Sequence, residues 1–280
     1  MHTQVESYIK FIAEKQGRSL NTQVSYRRDL CQLLNWLSAR GITTAAAVAP
    51  ADLRAYIASL EAAGKSAATV SRNVASVKAF FGHLATTKVL AFDPAQDLKA
   101  PRVQKKAPAL VGDTEIQKLL KQPDERTLKG IRDKAMLELL YDTGLRVSEL
   151  ISLQCPEVDL KHRVIVVSSA KRRVVPYSKR ISKYLARYER EAREPLLDGH
   201  SETAYFVNCS GEAMTRQGFW KLLKKYGAEA GLQEEITPHT MRHSFAVRAL
   251  KGGEDVKRVQ EILGHSGGTA MHTYAKCRMD

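Results

Sequence analysis

The residues best suited to chemistry lie near the end of the chain, in the stretch HTMRH at positions 239 to 243. His239 and His243 are four residues apart and would share one face of a helix, a spacing found in zinc sites. His239 and Arg242 would also share a face, and they combine a titratable imidazole with a fixed planar cation. The first pair would bind a metal, whereas the second would bind a phosphate and move a proton beside it.

The metal hypothesis is the weaker one. No acidic residue lies between His239 and His243 to act as a general base, no third ligand follows at a recognisable spacing, and Arg242 would place a guanidinium beside the metal. The cysteines are scattered without any C-x-x-C spacing, which argues against a zinc site or a disulfide framework: Cys31, Cys155, Cys209 and Cys277. We therefore expect no metal and no cofactor, and we expect the cysteines to be reduced thiols.

The charge of the chain points to a polyanionic partner. Its 280 residues include 44 Lys and Arg against 30 Asp and Glu, a formal net charge of +14. Before residue 103 there are 13 basic and 7 acidic side chains, and after it 31 and 23, so both parts are basic. Nucleic acid is the first candidate for such a surface, although a protein that is basic only for solubility would have the same composition.

The sequence contains no feature of a membrane protein or a secreted one. No apolar run approaches the length of about eighteen residues that a membrane span needs. The amino terminus MHTQVESYIKF lacks the basic, apolar and small-residue order of a signal peptide. These observations predict a cytoplasmic protein.

The residues of interest are positioned by two predicted regions. Residues 5 to 87 have four apolar stripes at helical spacing, with Ser66 placed to cap the last of the four helices. Residues 92 to 111 contain three prolines and a basic run, and they show neither the helical nor the strand period of apolar residues, as is typical of a linker. We predict a helical domain at 1–100, a linker at 101–111 and a second domain at 112–280.

The second domain is predicted to be mostly helical. RVIVV and RRVVPY, joined by the polar stretch SSAK, indicate a β-hairpin whose register the sequence leaves open. Thr237 as cap and Pro238 at the first helical position start the helix that carries HTMRH. Helices are predicted at residues 113–122, 132–144, 145–153, 179–194, 216–230, 239–252 and 254–263.

Four motifs in order resemble those of one known family. They are DTGLRVSEL at 142–150, HTMRHSFA at 239–246, LGHS at 263–266, and a tyrosine nine residues after the histidine of the third motif. The chain is similar in these to the tyrosine recombinase (phage integrase) family, most closely to its Xer-type branch. The resemblance implies a mainly α, two-domain protein: a four-helix, SAM-like core-binding bundle followed by a mostly helical catalytic domain with a small β-sheet or hairpin.

The resemblance also implies an activity and its residues. Tyr274 would attack a DNA phosphate and become joined to its 3′ end, while Arg146 and Arg242 bind the nonbridging oxygens. His239 would assist proton transfer at the tyrosine, and His265 would donate a hydrogen bond to the phosphate. A phenol with a pKa of about 10 needs such help at neutral pH. Neither a metal nor ATP is required, since the phosphotyrosine retains the energy of the broken bond.

The hairpin departs from the family pattern. The family's catalytic lysine is expected at the position that Ser168 occupies, and Lys171 matches a second lysine of the Xer-type pattern. We predict that Lys171 acts as the general acid, with Arg172 and Arg173 as phosphate-positioning neighbours. The alternative is a weakened or inactive DNA-binding protein, for which Ser168 is the best argument.

The predicted partner is double-stranded DNA, bound by a homo- or hetero-tetramer on two sites, as the family implies. Resolution of chromosome dimers and integration or excision of a mobile element both fit, and a topoisomerase-like enzyme would share the chemistry. Glu149 is expected to be an orienting partner or a surface charge. Candidate DNA contacts in the first domain are Arg27, Arg28, Arg72 and Lys78.

Overall fold

The structure is a computed structural model that describes residues 1–102, 111–168, 172–233 and 236–264. Its contacts divide the chain into an amino-terminal unit, Met1–Lys106, and a carboxy-terminal unit, Ala107–Asp280. The division falls within the predicted linker at 101–111, of which residues 103–110 lie outside the described part. No helix among the described residues is long and apolar enough to cross a membrane.

The amino-terminal unit contains the four helices that the sequence predicted. They are α1 (His2–Glu14), α2 (Leu20–Ser38), α3 (Pro50–Ala62) and α4 (Ala67–Thr86). Ser66 caps α4 as predicted, because its side chain accepts a hydrogen bond from the Thr69 amide. Ser19 caps α2 in the same way.

One apolar core holds this bundle together. The stripe of α2 is buried, with Leu30, Leu33 and Leu37 each fully inaccessible to solvent. Burial of one such side chain contributes about 1.5–3 kcal/mol relative to an exposed one. A bidentate ion pair between Arg72 of α4 and the buried Asp29 of α2 joins two of the helices at the edge of this core.

The carboxy-terminal unit is mostly helical, as predicted, and has its own core. Its helices are α5 (Asp113–Leu120), α6 (Leu128–Thr143), α7 (Val147–Ile151), α8 (Lys179–Arg187), α9 (Glu194–Leu197), α10 (Arg216–Glu229), α11 (Pro238–Lys251) and α12 (Val256–Leu263). Almost every side chain of α6 is buried, so this helix is the centre of the unit. Residues Tyr188–Arg193 form a π-helical segment that joins α8 to α9.

A three-stranded antiparallel sheet accompanies the helices. Its strands are β1 (Val158–Asp159), β2 (Val164–Val167) and β3 (Arg173–Pro176), in the order β1-β2-β3. The predicted hairpin is confirmed, and its register pairs Val167 with Arg173. Strand β1 was not predicted, because a two-residue strand is too short for an alternating pattern.

Candidate active site

Helix α11 carries the HTMRH stretch and starts where its sequence predicts. Thr237 accepts a hydrogen bond from the Thr240 amide at 3.1 Å, and Pro238 occupies the first helical position. A cap of this kind contributes about 1 kcal/mol to stability. The first turn leaves His239 exposed, while Arg242 on the next turn is only 6% exposed. The predicted proton carrier therefore lies at the surface and the predicted phosphate ligand is buried below it.

Arg242 links three parts of the carboxy-terminal unit. From α11, its guanidinium donates hydrogen bonds to the backbone carbonyl of Gly144 and to that of Leu263 at the end of α12. Gly144 ends α6 with φ of +60°, and a Cβ atom there would lie 2.4 Å from the Phe245 ring. Only glycine fits this position, so the turn that brings α6 to Arg242 depends on it.

Arg146 lies at the start of α7, two residues after that turn. Its amide donates to Glu149 Oε2 at 2.8 Å and its Nη1 donates to Oε1 at 3.0 Å. Its Nη2 donates to the carbonyl of Gly264 at 3.0 Å. Arg146 and Arg242 thus contact adjacent carbonyls, those of Gly264 and Leu263. The structure brings these two predicted phosphate ligands to the same end of α12.

Glu149 is the carboxylate that Arg146 contacts. It is buried, with its side chain 3% exposed. Burial alone would raise the pKa of Glu149, but donation from the Arg173 guanidinium and from the Arg146 amide, with the charges of both arginines, lowers that pKa below its ordinary value. Glu149 therefore orients Arg146 as an ionised partner, which is the first of the two roles that the sequence analysis considered.

Arg173 makes contacts that the sequence analysis did not foresee. It was predicted as a phosphate-positioning neighbour, but its Nη1 and Nη2 each donate to one oxygen of Glu149 at 2.8 Å. Its Nε donates to the carbonyl of Ile262 at 2.8 Å. The Glu149 partner lies 24 residues earlier in the chain, and no local pattern signals such a pair. The neighbouring Arg172 is exposed, consistent with the role predicted for it.

His243 lies on the same helix as His239 and Arg242 and is partly buried. Burial lowers the pKa of His243, and the nearby His239 and Arg242 lower it further.

Among the described residues, no group of three or more His, Cys, Asp or Glu side chains could hold a metal ion.

Three of the predicted catalytic residues lie outside the described residues: Lys171, His265 and Tyr274. Ser168, which stands where the family lysine is expected, is exposed just after β2. The chain order places Lys171 two residues before β3 and His265 directly after Gly264. The roles of these three residues stay predictions.

The predicted DNA contacts of the amino-terminal unit have protein partners in the structure. Arg27 forms a bidentate pair with Glu6, and Arg72 forms the pair with Asp29 described above. Lys78 donates to the carbonyls of Gln96 and Leu98. Arg28 is exposed. Intramolecular pairs do not prevent DNA binding, but they give Arg72 and Lys78 structural roles of their own.

A basic face that the sequence analysis passed over lies on α10. This helix exposes Arg216, Trp220, Lys221 and Lys224. The Lys224 ammonium lies 5.5 Å from the centre of the Trp220 ring. Cations interleaved with an aromatic ring suit phosphates and stacked bases. The signal was present in the sequence as basic and aromatic residues at helical spacing, RxxxWKxxK.

Comparison with known proteins identifies the family. Residues 111–280 match the phage integrase family, and residues 5–88 match the phage integrase N-terminal SAM-like domain. The chain is 38% identical to tyrosine recombinase XerD of Oceanobacillus iheyensis, over 96% of this chain and 92% of that protein. It is 37% identical to tyrosine recombinase XerC of Roseiflexus sp., over 98% of this chain and 89% of that protein.

Solved structures of similar fold include recombinases bound to DNA. The Tn1549 transposon integrase in complex with circular intermediate DNA has a TM-score of 0.75 at 22% identity, and the match covers 99% of both chains. XerH recombinase bound to its difH substrate has a TM-score of 0.74 at 20% identity, covering 98% of this chain and 82% of that one. The two family matches and the two relatives show that the chain belongs to the phage integrase family of tyrosine recombinases.

Proposed function

We propose that this protein is a site-specific DNA recombinase that cuts and rejoins duplex DNA through a 3′-phosphotyrosyl intermediate. The amino-terminal unit is the core-binding domain and the carboxy-terminal unit is the catalytic domain, with the linker at 101–111. The observation that carries the proposal is the meeting of Arg146 and Arg242 at the end of α12. The alternative of a DNA-binding protein without activity is not favoured by the recombinase relatives.

The proposed reaction begins at Tyr274. Its phenolic oxygen attacks the scissile phosphorus, forming a phosphotyrosyl bond and breaking the bond to the 5′ oxygen. His239 takes the phenolic proton, and Lys171 gives a proton to the leaving 5′ oxygen. Rejoining reverses these steps with the 5′ hydroxyl of another strand. No external energy source is needed, because each step exchanges one phosphodiester for another.

The two arginines would stabilise the charge that develops on the nonbridging oxygens. Guanidinium groups are always charged at neutral pH and donate in a planar fork that matches two oxygens. Arg146, Arg173 and Arg242 donate to three successive carbonyls at the end of α12. Three cations placed at one helix end suit a site whose ligand is an anion. His265, next in the chain after Gly264, would add a further hydrogen bond to the phosphate.

The partner is double-stranded DNA, for which the net charge of +14 provides long-range attraction. Direct contacts with DNA would come from exposed basic residues such as Arg28, Arg172 and the basic face of α10. Strand exchange between two sites requires an assembly, and we propose a homo- or hetero-tetramer that works in the cytoplasm. Dimer resolution and mobile-element integration or excision would both use this chemistry.

The test is formation of a covalent complex. A duplex selected by the wild-type protein from a randomised library is prepared with a nick at successive positions across its centre, so that the cleaved fragment is lost. We expect a protein–DNA band that survives denaturation and disappears in Tyr274→Phe. Tyr184→Phe, which removes a hydroxyl from another tyrosine of the same unit, is the matched control and should give the wild-type yield.

Two outcomes would contradict the proposal. Specific binding of the duplex without any covalent band from the wild-type protein would favour the inactive alternative. A covalent band that persists in Tyr274→Phe would exclude Tyr274 as the nucleophile. Separate Lys171→Ala and Ser168→Ala variants then test the general acid, since only the first is expected to slow cleavage.

A further inference from the structure

The carboxyl end of α12 is held by three arginines from three different elements. Arg173 of β3 donates to the carbonyl of Ile262, Arg242 of α11 to that of Leu263, and Arg146 of α7 to that of Gly264. Three successive carbonyls therefore each receive one guanidinium. The last carbonyls of a helix have no partner within the helix and lie at the negative end of its dipole. Cations are the favoured partners at this position.

Arg173 is much less exposed to solvent than Arg146. Its side chain is 10% exposed, compared with 42% for Arg146. The bond to Ile262 and the two bonds to Glu149 use Nε, Nη1 and Nη2, so every nitrogen of its guanidinium has a protein partner. A guanidinium engaged on all of its nitrogens is poorly placed to bind a phosphate as well.

Gly264 permits the close approach of Arg173. It ends α12 with φ of +64°, and a Cβ atom at this position would lie 3.1 Å from Arg173 Cζ. Any other residue would be strained in this conformation and would crowd the guanidinium. The close packing of Arg173 against the end of α12 therefore depends on glycine at position 264.

We propose that Arg173 is a positioning residue of the cleavage site, which sets Arg146 through their shared partner Glu149 and holds the end of α12 through Ile262. This inference rests on the proposed function, and it assigns Arg173 a role other than contact with phosphate. Both carboxylate oxygens of Glu149 accept hydrogen bonds from Arg173, and the same two oxygens also accept hydrogen bonds from Arg146. Removal of Arg173 would leave the carboxylate and Arg146 free to change their geometry together.

The structure supplies a matched control in Glu138. This buried glutamate of α6 also accepts from two cations, Lys134 and Arg180, and its side chain is 2% exposed. Arg180→Ala and Arg173→Ala therefore each remove one of two cations from a buried glutamate in the same unit. A purely structural role for Arg173 predicts that the two variants behave alike.

The experiment compares these variants on the nicked duplexes described above. At saturating protein, we expect the rate constant of covalent-complex formation to fall about 10²-fold in Arg173→Ala, the size of effect that a misplaced catalytic group produces. Arg180→Ala should keep the wild-type rate constant. Both variants should bind the duplex with dissociation constants within about three-fold of wild type, since neither arginine is assigned a phosphate.

Salt dependence separates positioning from phosphate contact. Loss of a direct phosphate contact reduces the slope of log affinity against log salt by about 1, so a positioning role predicts an unchanged slope in Arg173→Ala. If Arg173→Ala does not fold, Arg173→Lys and Arg180→Lys replace the pair, and only Arg173→Lys should slow cleavage. The inference would be overturned if Arg173→Ala cleaved at the wild-type rate, or if Arg173→Lys did so where the alanine variant does not fold. A salt slope reduced by 1 would also overturn it. Absence of cleavage by the wild-type protein would instead contradict the proposed function.

Discussion

Glu138 and Glu149 are both buried in the carboxy-terminal unit, and each binds two cationic side chains. At Glu138, the Lys134 ammonium also donates to the carbonyl of Leu120, which ties α6 to the end of α5. At Glu149, the two arginines extend to the end of α12, where they meet Arg242. The two ion-pair clusters are therefore alike locally but connect to different parts of the unit. We infer that these connections make the Glu138 cluster structural and the Glu149 cluster functional.

The two clusters also differ in the contacts that their cations make beyond the shared carboxylate. Within the described contacts, Glu138 and Glu149 each bind two cations. The two cations of Glu149 also donate to carbonyls at the end of α12, on either side of the carbonyl that Arg242 binds. Cations are favoured at this end of a helix, and three guanidinium groups placed together there attract an anion. The arrangement at the end of α12 therefore suits an anionic substrate.

The largest expected effect comes from Arg242, which shares the end of α12 with Arg146 and Arg173. Arg242→Lys keeps the charge but loses the planar fork that contacts Gly144 and Leu263. We expect the single-turnover cleavage constant to fall by about 10²–10³-fold, as for loss of one preorganised donor in other enzymes, equivalent to about 2.7–4 kcal/mol. Arg180→Lys at the Glu138 cluster is the control. Equal cleavage by both variants would show that the two clusters do not differ in function.

A smaller effect is expected from the glutamates themselves. Glu149→Gln and Glu138→Gln each remove a buried charge that two cations share, so each should lower the free energy of unfolding by about 1–3 kcal/mol. Urea titration measures this loss. Only Glu149→Gln should also slow cleavage, because only Glu149 orients an arginine, Arg146, that is assigned to the phosphate. If Glu138→Gln slowed cleavage as much at equal stability, the functional distinction between the clusters would fail.

The sequence predicted those parts of the site that depend on local signals. The start of α11 followed from a cap and a proline, Thr237 and Pro238, and the turn before Arg146 followed from Gly144. These features act over one helical turn, so the residue types alone specify them. The resemblance to the family supplied the roles that local signals could not, such as pairing Arg146 with Arg242.

The pairing of Arg173 with Glu149 could not be predicted in the same way. It joins a strand to a helix across 24 residues, and either residue alone is typical of an exposed surface. The carbonyls at the end of α12 are backbone atoms, which carry no residue type for the sequence to display. The short strand β1 was missed because it forms only where β2 pairs with it. Contacts of this kind are products of the tertiary fold.

The smallest expected effect concerns His243, whose pKa depends in part on the charge of the nearby Arg242. Its pKa is lowered from 6.5 by burial first, and then by His239 and Arg242. The folded protein therefore binds fewer protons here than the unfolded chain does between the lowered pKa and 6.5. The stability that His243 contributes is complete above about pH 6.5, the ordinary histidine pKa. It is lost as the pH falls through the lowered value.

Urea titrations at pH values from neutral to mildly acidic measure this linkage, and His243→Gln should flatten it. The charge contribution is tested separately by adding inorganic phosphate and following the His243 ring by NMR. Phosphate bound between Arg146 and Arg242 would offset part of the field of Arg242 and raise the His243 pKa toward its ordinary value. The rise should be absent in Arg242→Gln, which removes the cation that phosphate would neutralise. A wild-type pKa that phosphate leaves unchanged would mean that the arginines at the end of α12 do not attract an anion, and the distinction from Glu138 would then rest on catalysis alone.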